Sequence, residues 1–409
     1  MNTFSQYITE EKNTHMMHIE NALLYTGVRG TDHAITALED LYKMLLGNED
    51  KGKTVTQKWD GAPAIFAGPD PVTGEFFVAK KGIFNKEPVV YKSVADIKAD
   101  TSGDLAEKLT IAFKHLKTLN LDRILQGDLM FTRKDLSREN IDGVDYITFQ
   151  PNTLVYAIPA DSDFGKKLQT YEMGIVFHTQ YTGKSYESLS ADFNINVDKY
   201  KNSNSVWVED AYVKDLSGKV MLSAKDSKTV RIALANSRKI FAKIGRSTLK
   251  EIEQDQTLAT DIETFQNSFV RAGTEITNTS KHVADLIQWY NQRFEKEREE
   301  RKTEKGKEAV SAKQKERMAF FSKSNQANLK LLFDLQQQMV IAKTILYRQL
   351  DELGGINTFV RTNAGFRVTG SEGFVIVDKL TNNAYKIVDR LEFSKNNFSK
   401  DIIKSWERR

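Results

Sequence analysis

The apolar residues of this chain change their period three times, and that division limits the fold more than any other feature. From about residue 53 to 223, and again after 355, they fall in short alternating runs, whereas across 224–355 they recur at helical spacing almost without a break. Val230, Leu234, Ile240, Phe241 and Ile244 open the helical stretch, Ile262, Phe265, Phe269, Leu286 and Tyr290 continue it, and Leu329, Leu332, Phe333, Met339 and Leu346 close it. A chain written this way is α+β: an antiparallel β-rich core with a large all-α insertion. Four segments follow. Residues 1–48 form an N-terminal helical segment ended by Gly47, 49–223 the first part of the core, 224–355 the insertion, and 356–409 the second part of the core with an amphipathic closing helix that carries Phe398, Ile402, Ile403 and Trp406.

Within the first part of the core, strands are expected at 54–58, 64–67 and 76–80, with turn chemistry at Gly68-Pro69-Asp70-Pro71 and Thr73-Gly74 between them. A helix is expected over 102–119, then strands at 123–131, 146–149, 153–158, 174–179 and 205–208. In the insertion, 292–302 mixes charge signs at helical spacing and reads as a solvated helix with i,i+4 pairs. Residues 302–330 hold more lysine and arginine than acid, which suits either a face towards a phosphate backbone or an arm that docks a partner protein.

Composition excludes whole classes of chemistry. The chain has no cysteine, so disulfides, iron–sulfur clusters, thiolate zinc sites and thiol nucleophiles are ruled out. No apolar run approaches the ~20 residues of a membrane helix. Residues 1–12 lack the basic start and apolar core of a secretory signal, so a cytoplasmic protein without a membrane partner is expected. A net charge of +4 permits a polyanionic partner without requiring one. His15 and His18 stand three apart, but no carboxylate completes a ligand set; with His33 they are expected at the surface or as caps.

Four positions carry chemistry. Lys58 ends a strand in Lys58-Trp59-Asp60-Gly61. An amine attacks phosphorus only when it is uncharged and positioned; Asp60 could orient it and Gly61 lets the backbone come close to a nucleotide. Trp59 is expected in the core. Asp128 interrupts an apolar strand, Leu125-Gln126-Gly127-Asp128-Leu129, that needs no polar residue there. Glu372 opens Glu372-Gly373-Phe374-Val375, and Lys386 lies inside Ala384-Tyr385-Lys386-Ile387-Val388.

In this order the four stretches resemble the covalent nucleotidyltransferase superfamily, which includes the ATP- and NAD-dependent DNA ligases, the RNA ligases and the mRNA capping enzymes. Lys58-Trp59-Asp60-Gly61 looks like motif I, Ala79-Lys80-Lys81-Gly82 like motif Ia, the Asp128 strand like motif III with aspartate for the usual glutamate, Glu372-Gly373-Phe374-Val375 like motif IV, and Tyr385-Lys386-Ile387-Val388 like motif V. Motif IIIa is assigned to Ile175-Val176-Phe177-His178, with Tyr156 the other candidate for its aromatic residue. The resemblance implies an ATP-grasp-like ligase core, ATP and Mg²⁺ as cofactors, and Lys58 as the nucleophile of a lysyl-AMP kept partly neutral by Lys80, Lys386 and the metal. It further implies that Gln57 (at the adenine edge, through its backbone), Lys80, Asp128, Phe177, Glu372 and Lys386 bind the nucleotide, that Asp60 and Lys386 assist catalysis, and that Glu372 and Asp128 face the metal. The activity implied is an ATP-dependent polynucleotide ligase of the RNA-ligase-like, phage type that joins 5′-phosphate to 3′-hydroxyl ends of RNA or DNA in repair. The stretch after motif V is too short for the OB-fold domain of DNA ligases, which leans the same way. One departure matters: Val388 stands where the family has a second lysine that neutralises the α-phosphate, and Lys379, Arg390 or Lys395 would have to substitute. The alternatives are a catalytically impaired member that serves as a nucleic-acid-binding or structural module, and guanylyl transfer to RNA ends.

Overall fold

The computed structural model describes residues 16–47, 53–211, 222–352, 356–378 and 383–407. The chain enters at β1 (Met17–His18), passes through α1 (Ala22–Tyr25) and α2 (Gly27–Leu45), and begins the β core with β2 (Lys53–Lys58), β3 (Ala64–Pro69) and β4 (Phe76–Ala79). Next come α3 (Val94–Asp100), α4 (Gly103–Lys117), β5 (Ile124–Thr132), β6 (Ser137–Ile141), β7 (Val144–Phe149) and β8 (Leu154–Pro159). The short α5 (Asp163–Leu168) leads to β9 (Met173–Thr182), β10 (Ser190–Asp192) and β11 (Val206–Asp210). The insertion is α6 (Ala224–Phe241), α7 (Arg246–Gln254), α8 (Gln256–Arg271), α9 (Thr279–Glu299), α10 (Glu304–Ala319) and α11 (Lys323–Asp351). The chain then returns as β12 (Asn357–Thr362), β13 (Gly365–Val368), β14 (Gly373–Asp378), β15 (Asn383–Ile387) and α12 (Arg390–Phe398).

The α+β reading with antiparallel sheets and a helical insertion therefore stands. The helices of the insertion start where the sequence supplies a cap: Ser223, Asp255, Asn278, Thr303 and Ser322 each accept a hydrogen bond from a backbone N–H in the first turn of α6, α8, α9, α10 and α11. No helix among the described residues is long and apolar enough to cross a membrane.

Three sheets form, and two of them join parts of the chain far apart in sequence. The first has the order β1-β15-β14-β2, the second β10-β9-β5-β3-β4 with β11 alongside β9, and the third β13-β12-β8-β7-β6. Alternation along the first sheet decides which way its side chains point. Val55, Phe374, Ile376, Tyr385 and Ile387 turn to one face, where they share a single core with Ile19, Leu23, Leu38 and the apolar faces of α6, α8 and α11. Lys58 and Lys386, at positions of the opposite parity, turn to the other face.

This shared core changes the picture of separate segments. The N-terminal helices and the insertion are one helical layer against one sheet, since their buried apolar residues belong to a single cluster with those of β2, β14 and β15. Glu20 fixes the junction: its carboxylate lies 2.8 Å from Lys343 Nζ on α11 and 3.3 Å from Arg390 on α12. Burial alone would raise its pKa, but the two cations outweigh that and hold it at about 2. His18 is also no surface histidine. It pairs with Lys386 across β1 and β15, and burial pushes its imidazole down to about 3; His15 lies outside the described residues. The most solvated element of the insertion is α10, which buries only Val310. The closing helix ends at Phe398, and beyond it Ile402 bridges Thr362 of β12, so the tail finishes as an edge of the third sheet rather than as a longer helix.

Candidate active site

Lys58 ends β2 in register with Gly373, the first residue of β14, so Glu372 arrives beside it. Lys58 Nζ donates a hydrogen bond to Glu372 Oε1. Glu372 is 7% exposed, and its other oxygen, Oε2, is buried with no partner. Burial and the nearby Asp60 and Asp128 push its carboxyl up to about 7 against the pull of Lys58. For Lys58 the balance runs the other way: burial disfavours its charge, but Glu372, with Asp128 and Asp60 behind it, outweighs that and holds the ammonium above the ordinary lysine value. Of the two lysines expected to hold it partly neutral, Lys80 pairs instead with Asp100. The immediate partner of Lys58 is a carboxylate, so Lys58 rests as an ion pair.

Lys386 reaches the same space from β15 and makes no ion pair among the described residues. Burial, then the charges of Lys58 and Lys81, lower its pKa. Asp128 enters from the second sheet, where β5 pairs with β3 and β9. Its side chain keeps 23% exposure. Desolvation raises it to about 7, against Lys58 and Lys81 and with the help of Asp60. Across from Asp128 the register of β9 slips: Gln126 pairs with Thr179 but Gly127 with Phe177, which leaves His178 as the extra residue of a bulge. The bulge turns the imidazole towards Asp128, with Nε2 3.7 Å from Oδ2, while Nδ1 lies 2.7 Å from Thr179 Oγ1. Burial, then the charge of Lys58, lowers His178 to about 4, so the ring is neutral near pH 7. Lys58, Asp128, Glu372 and Lys386, brought in by two sheets, thus lie close enough for their charges to act on one another, and the space they surround is the candidate cleft.

The other expected residues divide. Asp60 is held in the wall: Asn152 Nδ2 donates to it at 2.7 Å, and the Thr153 and Leu154 amides at 2.8 Å each. Its role is to lock the start of β8 beneath Lys58. Gln57 shares the parity of Val55, away from the cleft, and its own N–H donates to the Ala211 carbonyl at 2.5 Å, so that group is already used. Lys80 turns outward to Asp100 at 3.5 Å and to the Tyr91 ring. β4 ends at Ala79, and in the turn that follows it is Lys81 whose charge acts on Asp128 and Lys386. Phe177 is fully buried among Ile65, Leu125, Leu129 and Ile175 under α4. Tyr156 is equally enclosed: its ring packs on Trp59 and Phe149, and its hydroxyl accepts from the Asp60 amide at 2.7 Å. Trp59 lies in the core, as expected. Val388 packs onto Gly373, so the departure from motif V fills a hole in the fold. Of its three candidate substitutes, Arg390 is bound to Glu20, Lys395 is exposed on α12, and Lys379 lies outside the described residues.

Gly61 has a clear spatial reason. A Cβ there would stand 2.5 Å from Asp128 Cβ and 2.9 Å from Met130 Sδ. Gly61→Ala is therefore expected to overpack the wall, cost about 1–3 kcal/mol in denaturant unfolding and displace Asp128. Two participants, His178 and Lys81, lie inside the motif IIIa and motif Ia stretches, but no role follows for either from the sequence alone. A lone polar residue after Ile175-Val176-Phe177 carried the same signal as Asp128, but the parity that a bulge shifts is not visible in a run of letters.

No group of three or more His, Asp or Glu residues able to hold a metal occurs among the described residues. Mg²⁺ that travels with a nucleotide needs only one or two protein carboxylates beside the phosphates, and Asp128 with the unpartnered Oε2 of Glu372 fits that pattern. A family model described as a family of unknown function, DUF6267, matches residues 13–402. The chain is a member of DUF6267. No curated protein and no solved structure matches it. In this DUF6267 chain the match runs across the helical insertion as well as both parts of the β core, so the cleft and the helical layer behind it belong to a single family unit.

Proposed function

We propose that this DUF6267 protein is a nucleotidyltransferase in which Lys58 attacks the α-phosphorus of ATP, and that it is an RNA-ligase-like polynucleotide ligase. The observation that carries this reading is the convergence of Lys58, Asp128, Glu372 and Lys386 on one cleft, although more than two hundred residues separate the two middle members. Lys58 becomes nucleophilic only when its proton leaves, and Glu372, already hydrogen-bonded to Nζ, is placed to take it. A P–N bond then forms, the bond from the α-phosphorus to pyrophosphate breaks, and the protein is left as lysyl-AMP. Lys386 and Lys81 supply the positive charge that the departing phosphates need, a part that Val388 cannot play. When bound with the nucleotide, Mg²⁺ would be held by Glu372 and Asp128 and would neutralise the polyphosphate. Transfer of AMP to a 5′-phosphate and attack by a 3′-hydroxyl complete the joining of two ends. The test is covalent labelling by α-labelled ATP, set against α-labelled GTP for the guanylyl alternative.

The second reading, a fold kept for binding alone, is favoured by the ion-paired rest state of Lys58 and by the burial of both candidate base-stacking rings, Phe177 and Tyr156. It predicts nucleotide binding without label.

A pH dependence follows from either reading. Glu372 and Asp128 both have carboxyls raised to about 7, so they lose their protons as the pH rises through that value and the cleft gains negative charge. Without metal, a nucleotide polyphosphate is expected to bind several-fold more weakly at pH 8 than at pH 6. Calorimetric titration in a chelator checks this, and Glu372→Gln is expected to flatten the difference.

A further inference from the structure

We propose that the groove between the end of α8 and the closing helix α12 binds a single-stranded polynucleotide and leads its end to Lys58. The assignment of that strand as substrate rests on the nucleotidyltransferase reading; the groove itself is argued from its own residues.

The groove has a volume of about 600 Å³, with Arg271 on one bank, Arg367 on β13, and Lys395 and Phe398 on α12. None of these three cations forms an ion pair among the described residues; Arg367 makes only a long hydrogen bond to Asn396, at 3.4 Å. The one acid in the groove, Glu392, is already engaged, as it accepts from Thr369 Oγ1 at 2.9 Å and from the Gly370 amide at 3.3 Å. Arg271 and Lys395 lie in the last turns of their helices, where a cation is ordinary, so charge alone does not choose the ligand. The aromatic residues do. Phe398, which lines the groove, is 66% exposed, and Trp406, beside the groove with Lys404 Nζ 5.5 Å from its ring centroid, is 65% exposed; they are the only aromatic side chains among the large hydrophobics left in solvent within the described residues. Cations that track phosphates beside open rings that stack on bases are what a single strand recognises.

Placement connects this face to the chemistry. Thr369, Glu392 and Asn396 line both the groove and the narrow crevice whose far wall is Asp60, Ser371 and Glu372. Both aromatics flank the loop that holds Asp60. Asn397, next to Phe398, is 2.8 Å from Thr153 Oγ1, and Ser405, next to Trp406, donates through its amide to the Asn152 carbonyl at 3.0 Å. The groove therefore adjoins the crevice that Glu372 lines, and Glu372 is the hydrogen-bond partner of Lys58. The helical insertion gains a part in this, because α8 supplies one bank.

The test is fluorescence anisotropy of labelled homopyrimidine DNA and RNA oligonucleotides titrated with the full chain. Binding of single strands is expected, weaker as salt rises. Phe398→Ala and Trp406→Ala, both at exposed positions that leave the fold intact, are each expected to weaken it by about 5-fold or more, and the pair Arg367→Gln with Lys395→Gln to flatten the salt dependence. Absence of single-strand binding, variants that bind like the wild type, or a duplex bound as tightly as a single strand would each overturn the groove. Labelling of wild-type protein by ATP is measured in parallel. Labelling without strand binding removes the groove and keeps the nucleotide site; strand binding without labelling keeps the groove and removes the covalent chemistry.

Discussion

A Lys58→Ala protein is expected to take up no label from α-labelled ATP and Mg²⁺, whereas the wild-type protein is expected to carry it through denaturing electrophoresis on an acid-labile, alkali-stable bond. The loss is complete rather than partial because the lysine supplies the atom to which phosphorus is bonded. Truncation also strands Glu372, buried and without its counter-ion, and removal of one partner from a buried pair costs about 3–5 kcal/mol. Lys58→Arg separates the two effects: the guanidinium keeps the ion pair but does not give up its proton at any ordinary pH, so the protein stays folded and unlabelled. Glu372→Gln keeps the hydrogen bond and loses the base, and labelling is expected to fall steeply without vanishing. Label retained by Lys58→Arg would remove the mechanism.

Phe177→Ala lowers unfolding stability by about 3–5 kcal/mol, the usual cost of deleting a phenyl ring from a packed interior. The ring is fully buried between β5 and α4, and Gly127 exists to admit it, since a Cβ there would stand 2.8 Å from the Phe177 ring and 2.6 Å from the Val176 carbonyl. A residue that stacked on the adenine would behave in the opposite way, with stability nearly unchanged and nucleotide affinity reduced. Denaturant midpoints together with ATP titration of the folded variant decide between them.

Much of this cleft is legible in the sequence, because strand alternation is a strict rule and polar residues inside apolar runs stand out. Tyr385 and Ile387 must go inward, so Lys386 goes the other way; the same parity separates Lys58 from Val55. The misreadings have local causes. Phe177 was a reasonable stacking candidate until the bulge at His178 changed which side chains of β9 face the cleft. Lys80 and Lys81 cannot be told apart by alternation once β4 has ended at Ala79. Periodicity shows that 16–45 and 224–351 each have an apolar face, but it is silent on what covers that face, and the two prove to be a single layer locked by Glu20, Lys343 and Arg390.

The order β1-β15-β14-β2 also sets a timetable for the molecule's birth on the ribosome. β2 is made more than three hundred residues before its neighbour, which begins at Gly373, so the strand that carries Lys58 must wait while the chain between them emerges. Loop-closure entropy makes such distant pairings slow, and during that wait β2 is without the strand it pairs with in the first sheet. Synthesis of Lys58 and of its carboxylate partner are thus separated in time, and the site comes into being only after the helical insertion has left the ribosome and β14 has followed it.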